Sequence, residues 1–382
     1  MSEPSPVAID PASVRAWVAL DVHKLSIVAA VLPADGAQPE LHEIESTERA
    51  IRRLVARLGG GEGLAVCYEA GPCGYDLYRL LARMGVACGV VAPSLTPVRP
   101  GDRVKTDRRD ARKLVRLHRS GELTFCVPPS PEQEGLRDLM RCREDLRGAR
   151  QNARHRVGKQ LLRHGLVYRE GQKSWTKRHQ AWVARQRLAD PLAQRALEHM
   201  RAHLDGLDAQ IAALDHELDG IARRAPWAEP VGWLVCFRGV ATRTALGLLA
   251  EIGDFRRFGS ARELMSFLGL TPSEYSSGEQ RHRGHITRAG NQHARRLVVE
   301  AAWHYRHPPA RGARLLAAHE AAPPACRARA LAAQVRLHHR HRSLIEHGKR
   351  STVANVAVAR ELVGFLWAAM TDQPLREEAL AA

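Results

Sequence analysis

The chain has 382 residues, 45% of them hydrophobic, and carries 58 Lys and Arg against 41 Asp and Glu, a formal net charge of +17. That length and apolar content suit two or three folded domains and exclude a globally disordered chain, while the basic excess points to a polyanionic partner. No apolar run reaches bilayer-spanning length, residues 1–11 lack a charged-then-apolar leader pattern, and seven cysteines without a CxxC exclude a disulfide framework or zinc ribbon, so a reducing, cytoplasmic setting without a membrane partner is expected.

Residues 1–15 read as a flexible lead. From there to 127 the pattern is α/β. Apolar runs at 17–22 and 26–32, a third candidate at 41–45, a periodic helix at 47–58 with Ser46 or Thr47 as cap, a strand at 64–69, a helix at 75–84 and a strand at 86–92 follow in order. Three strands, a helix, a strand, a helix and a strand is the order of an RNase H-like (RuvC-like) sheet. Its first and fourth strands are neighbours, so acids at their ends converge.

Those ends are acidic. Asp21 closes the run Trp17-Val18-Ala19-Leu20, and Glu69 closes the run from Leu64 to Tyr68. Asp107 and Asp110 open the next helix, in Lys105-Thr106-Asp107-Arg108-Arg109-Asp110-Ala111, and at i and i+3 they share one face. Alone, that pair suits a helix first turn. Together the four carboxylates form an oxygen set for Mg²⁺ (or Mn²⁺), in which metal ions clamp the oxygens of a phosphoryl transfer.

Pro128-Pro129-Ser130-Pro131 is a linker. Residues 128–226 then read as a helical linker or coiled-coil arm. An Arg-dense face over 134–166 includes Arg141 and Arg154. Leu204, Leu207, Ile211, Leu214, Leu218 and Ile221 recur at three or four, as in a helical hairpin or a dimerisation arm. A mostly α domain is expected over 227–350. Within it, 237–253 resembles a helix-hairpin-helix element whose free amides hold a phosphate. After a short helix at 262–268 comes a polar loop, 269–278, with adjacent hydroxyls at Ser276 and Ser277. Arg281, Arg283, Arg288, Arg295 and Arg296 follow with no acid between 281 and 296. With Lys105, Arg108, Arg109, Arg141 and Arg154 they are the expected nucleic-acid contacts. An apolar helix, 353–370, lies in the final segment, 351–382.

Five pieces in this order carry a resemblance: Ala19-Leu20-Asp21-Val22-His23-Lys24, Tyr68-Glu69-Ala70-Gly71-Pro72-Cys73-Gly74-Tyr75, 105–111, 269–278, and Gly284-His285-Ile286-Thr287-Arg288-Ala289-Gly290-Asn291. The chain resembles the DEDD-type transposases of bacterial insertion sequences, the IS110/IS116/IS902 group, over nearly its whole length. The resemblance implies a RuvC-like domain that holds divalent metal with Asp21, Glu69, Asp107 and Asp110, and a transposase domain whose Ser277 becomes covalently joined to a DNA end. It also implies a structured guide RNA, and homodimers that pair into tetramers and share sites between subunits. Here 71–74 lengthens the turn after Glu69 relative to the usual Glu-Ala-Thr-Gly-x-Tyr. Two other readings fit the residues: a hydrolytic RuvC-like junction nuclease that needs no serine, and a non-catalytic nucleic-acid-binding protein.

Overall fold

The computed structural model describes residues 11–93, 96–97, 106–277 and 280–372, with backbone alone for 275–277 and 280–283. The chain divides into two compact units, Met1–Ser130 and Pro131–Ala382.

The first unit is a mixed α/β sheet. Its elements are β1 (Ala16–Val22), β2 (Ser26–Pro33), β3 (Glu40–Glu45), α1 (Glu48–Arg57), β4 (Leu64–Glu69), α2 (Asp76–Arg83), β5 (Ala87–Val91), α3 (Asp107–Arg119) and β6 (Phe125–Cys126). The strand order is β3-β2-β1-β4-β5-β6. β1 runs antiparallel to β2 and parallel to β4, and β4 runs parallel to β5. The two-residue side-chain period divides each central strand between two cores. Val18, Leu20, Val66 and Tyr68 join Ile51 and Leu54 of α1 and Leu80 and Leu81 of α2. Trp17, Ala19, Ala65 and Cys67 join Ala111, Leu114 and Val115 of α3. Thr47 caps α1 by accepting from Ala50 N at 3.3 Å. β6 is absent from the sequence expectation, since two residues are too few for a pattern. Its Phe125 ring lies where a side chain on Gly89 would stand, 2.4 Å from an added Cβ, so β5 needs a glycine there.

The second unit is mostly helical. α4 (Pro131–Arg163) and α6 (Pro191–Ile221) are long helices, with α5 (Lys177–Arg185) between them. Arg143 pairs with Asp215, Arg150 reaches Asp208 at 3.0 Å, and Gln160 donates to the Ala193 carbonyl at 2.9 Å, so the two run antiparallel. Leu204, Leu207, Ile211, Leu214 and Leu218 are buried within the chain. Each contributes about 1.5–3 kcal/mol by leaving water. The leucine spacing is therefore satisfied intramolecularly, as a hairpin.

Beyond the arm follow α7 (Ala228–Leu234), α8 (Thr242–Ile252), α9 (Ala261–Phe267), β7 (Pro272–Ser277), β8 (Gln280–Ile286), α10 (Gln292–Ala302), α11 (Ala313–Ala321), α12 (Pro324–Glu346) and α13 (Ser351–Thr371). Within the segment expected as a polar loop, 269–278, Pro272–Ser277 is a strand of a two-stranded hairpin. Its alternation is polar on both sides, which hides a strand from hydropathy. α7 and α8 join through a turn at Gly239, whose φ is +86°; a Cβ there would stand 2.3 Å from the Ala301 carbonyl oxygen.

From Pro131 onward the segments read separately as 128–226, 227–350 and 351–382 share this unit, and α13 supplies Leu362, Val363 and Leu366 to its core. The expectation that no run could span a bilayer needs correction. Ser351–Thr371 is long and apolar enough, with a mean hydropathy of 1.4 over its 18-residue apolar stretch, yet 72% of that stretch is buried within the protein. Its Glu361 is held by Arg336 at 3.0 Å and Arg340 at 3.1 Å, both from α12.

Candidate active site

β1 and β4 are in register as far as Leu20 and Tyr68, so Asp21 and Glu69 stand next to each other one residue on. By strand parity both belong to the face that carries Trp17, Ala19, Ala65 and Cys67, the face covered by α3. The first turn of α3 bears Asp107 and Asp110, behind a cap in which Thr106 Oγ1 accepts from Arg109 N at 3.4 Å. An acid at each of two strand ends thus meets two acids at a helix start.

His23 joins them. Its Nε2 lies 3.5 Å from Asp21 Oδ2 and 3.4 Å from Asp107 Oδ2. The tight turn that positions it is closed by His23 N donating to the Ser26 carbonyl at 2.9 Å. One ligand atom from each of Asp21, His23 and Asp107 lies within 4.8 Å of the others. Burial raises the Asp21 carboxyl; the neighbouring His23 opposes this, and the Asp107 and Asp110 charges add to it. A carboxylate that burial and neighbouring acids disfavour in its charged form, as at Asp21, suits a hard divalent cation, whose charge removes the penalty. Glu69 accepts from Thr96 Oγ1 at 2.8 Å. Sequence reasoning missed His23 and Thr96. The i, i+2 spacing of Asp21 and His23 across a two-residue turn was the available signal for the first; Thr96 had none.

In the second unit, Ser277 pairs with Gln280 in the hairpin, far along β7 from the root. Thr287 N donates to the Thr271 carbonyl at 2.9 Å, Arg288 N to Gly269 at 3.1 Å, and Asn291 N to Phe267 at 3.0 Å. Gly290 has φ +101°, and a Cβ on it would stand 2.1 Å from the Phe267 oxygen, so the motif glycine is dictated by a close approach of backbones. Asn291 caps α10, accepting from Ala294 N at 2.9 Å, and donates to Glu251 Oε2 at 2.7 Å. Glu251 is 3% exposed and takes both Arg141 Nε, at 3.0 Å, and Arg141 Nη2, at 3.1 Å. Burial pushes this carboxyl up, but hydrogen bonds from Arg141 and Asn291 and the charges of Arg141 and Arg137 outweigh it and hold it below the usual range. The helical arm is thus tied through Glu251 to the hairpin root. A lone acid in the apolar run 245–252 was the sequence signal for Glu251.

The expected nucleic-acid contacts divide. Arg141 holds Glu251, Arg154 lies 5.2 Å over the Trp175 ring, Arg295 donates to the Leu268 carbonyl at 2.8 Å, and Arg296 pairs with Glu144 and Glu300. Arg108 reaches Glu43 at 3.3 Å. Arg109 and Arg288 are exposed, Arg281 and Arg283 lie on β8, and Lys105 falls outside the described residues.

Two family models match the chain. A DEDD model of the IS110 group, described as transposase, covers residues 18–165, and one described as transposase of the IS116/IS110/IS902 family covers 234–315. A putative transposase, y4qE, of Sinorhizobium fredii is 42% identical over 93% of this chain and 88% of its own length. The transposase for insertion sequence element IS1533 of Leptospira borgpetersenii is 32% identical over 86% and 96% respectively. That for IS1111A of Coxiella burnetii is 26% identical over 59% and 61%.

Proposed function

Because this chain belongs to the IS116/IS110/IS902 transposase family, we propose that it cuts and rejoins DNA strands with Ser277 as nucleophile and a divalent metal held by Asp21, Glu69, Asp107 and Asp110. One observation carries the reading: Asp21 and Glu69 end adjacent parallel strands on the face where α3 begins with Asp107 and Asp110. Bound there, Mg²⁺ (or Mn²⁺) supplies charge that polarises a scissile phosphate. The chain's own part is to gather the carboxylates, with His23 bridging Asp21 and Asp107.

In the serine step the Ser277 Oγ–phosphorus bond forms as the phosphorus–deoxyribose oxygen bond breaks. The serine hydroxyl loses its proton and the departing sugar oxygen gains one. The phosphodiester energy is kept in the phosphoserine link, so a second strand end reverses the step without ATP. An RNase H-like sheet, a helix-hairpin-helix element at 237–253, a structured guide RNA, tetrameric assembly from dimers and a bacterial cytoplasmic setting belong to the same reading. The strand order supports the first. The packing of Gly239 on Ala301 explains the turn at 237–240 without a phosphate.

The test is a denaturing gel of labelled element-junction DNA with Mg²⁺ and RNA transcribed from the element's flank. A slow, protease-sensitive band is expected that Ser277→Ala abolishes with folding intact. Free cleaved ends that persist unchanged in Ser277→Ala would refute the serine step in favour of hydrolysis.

A further inference from the structure

Along the α4–α6 arm part of the basic charge is answered: Arg143 pairs with Asp215, and Arg150 with Asp208. At the far end most of it is not. Residues 163–187 contain seven Lys and Arg against one acid, Glu170, which is shared by Arg178 at 3.3 Å and Arg185 at 3.8 Å. Arg163, Arg169, Lys173 and Lys177 are exposed and have no carboxylate partner among the described residues. An excess of like charge on one small surface destabilises it unless a polyanion is bound.

The surface is also underlain by packed aromatic side chains, which a solvated charge run lacks. His179 is buried between Tyr168 at 4.7 Å, Trp175 at 5.3 Å and Trp182 at 5.6 Å. Thr176 caps α5, accepting from His179 N at 3.3 Å, and Gln180 Nε2 donates to the Trp175 carbonyl at 2.9 Å. Trp175 has a φ of +62°, a conformation that costs energy in a bulky residue and persists because these contacts impose it. The aromatic core braces the backbone from which Arg169, Lys173 and Lys177 project.

We infer that this tip, through Arg163, Arg169, Lys173 and Lys177, grips the phosphate backbone of duplex DNA flanking the point of strand exchange. The inference rests on the DNA reading of the previous subsection and is independent of the serine step. From Arg141, level with the hairpin anchor, to Arg163 is 22 residues of one helix, about 33 Å at 1.5 Å per residue. One turn of B-DNA, about 10 bp, spans about 34–36 Å. A duplex leaving the hairpin along the arm therefore presents the same side of its backbone at the tip. Such contacts fix position without reading sequence.

The experiment measures binding of the full chain and of Arg169→Gln/Lys173→Gln/Lys177→Gln by fluorescence anisotropy across a salt series. Two junction duplexes are used, one extending well past 10 bp from the junction (about one turn) and one trimmed inside that distance. The substituted side chains are solvent-exposed, and a thermal melt checks that folding is retained. On the long duplex the slope of log affinity against log salt is expected to fall by about 2.7, at about 0.9 for each phosphate that is no longer neutralised. On the short duplex variant and parent coincide, in binding and in Mg²⁺-dependent cleavage. An unchanged slope on the long duplex overturns the proposal, as does a weakening seen equally on both duplexes or only on structured RNA. Absence of a covalent adduct in the parent would strike the serine step and leave the slope comparison intact.

Discussion

Glu251 anchors the serine-bearing hairpin, and removing it gives a calculable loss. In Glu251→Ala, Arg141 is deprived of two hydrogen bonds, of 3.0 and 3.1 Å, and Asn291 of one of 2.7 Å. Breaking a buried ion pair costs about 3–5 kcal/mol. Arg141 is 45% exposed and rehydrates when freed, whereas Arg137, at 16%, is confined and keeps its bond to the Ala250 carbonyl. The loss therefore sits near the low end, about 3 kcal/mol, or about 100-fold in the folded ratio. Glu251→Gln keeps one acceptor oxygen and the volume, and is expected to cost about 1.5 kcal/mol. Urea unfolding followed by tryptophan fluorescence reads the second unit, since every tryptophan except Trp17 lies there. With a slope near 3 kcal/mol/M the midpoint of Glu251→Ala falls by about 1 M. Arg141→Met completes a cycle in which the coupling energy is expected to exceed about 1 kcal/mol. A loss below about 1 kcal/mol for Glu251→Ala, or Gln as damaging as Ala, would refute the anchor.

Two further outcomes follow from the geometry. Asp21 titrates above its ordinary value of 3.8, so the folded metal-free chain binds more protons there than the unfolded chain. Its contribution to stability rises as pH falls through the raised value and is complete only below 3.8. Metal binding should release protons in that window, which calorimetry in buffers of different ionisation enthalpy detects; Asp21→Asn should abolish the metal heat and flatten the pH dependence, and a Mg²⁺ heat equal to the parent's would remove Asp21 from the ligand set. Gly290→Ala forces a side chain 2.1 Å from the Phe267 oxygen at φ +101° and should cost more than about 1 kcal/mol. A melting temperature within error of the parent's would show that the hairpin root is not constrained as described.

Much of the first unit was legible because its signals are local. Strands of period two, Thr47 as a cap, and the parity that puts Asp21 and Glu69 on one face are written in consecutive residues. The serine hairpin was harder to see. Both faces of 272–277 are polar, so no alternation marks a strand, and the pairing that makes it one comes from 280–286.

The sequence by itself determined β1 to β5 and the helices between them, the helical repeat of the arm and the acids at the ends of β1 and β4, since each depends on neighbours within one or two turns of chain. Tertiary structure decided which charges are used and which are free. Arg141 and Arg169 look alike in sequence, yet Arg141 is bound by Glu251, 110 residues away, and Arg169 meets no acid among the described residues. It also decided that the apolar helix at 351–371 is a core element, because only packing provides Arg336 and Arg340 for its Glu361. Local periodicity fixes what a segment is; long-range burial and charge pairing fix what it touches.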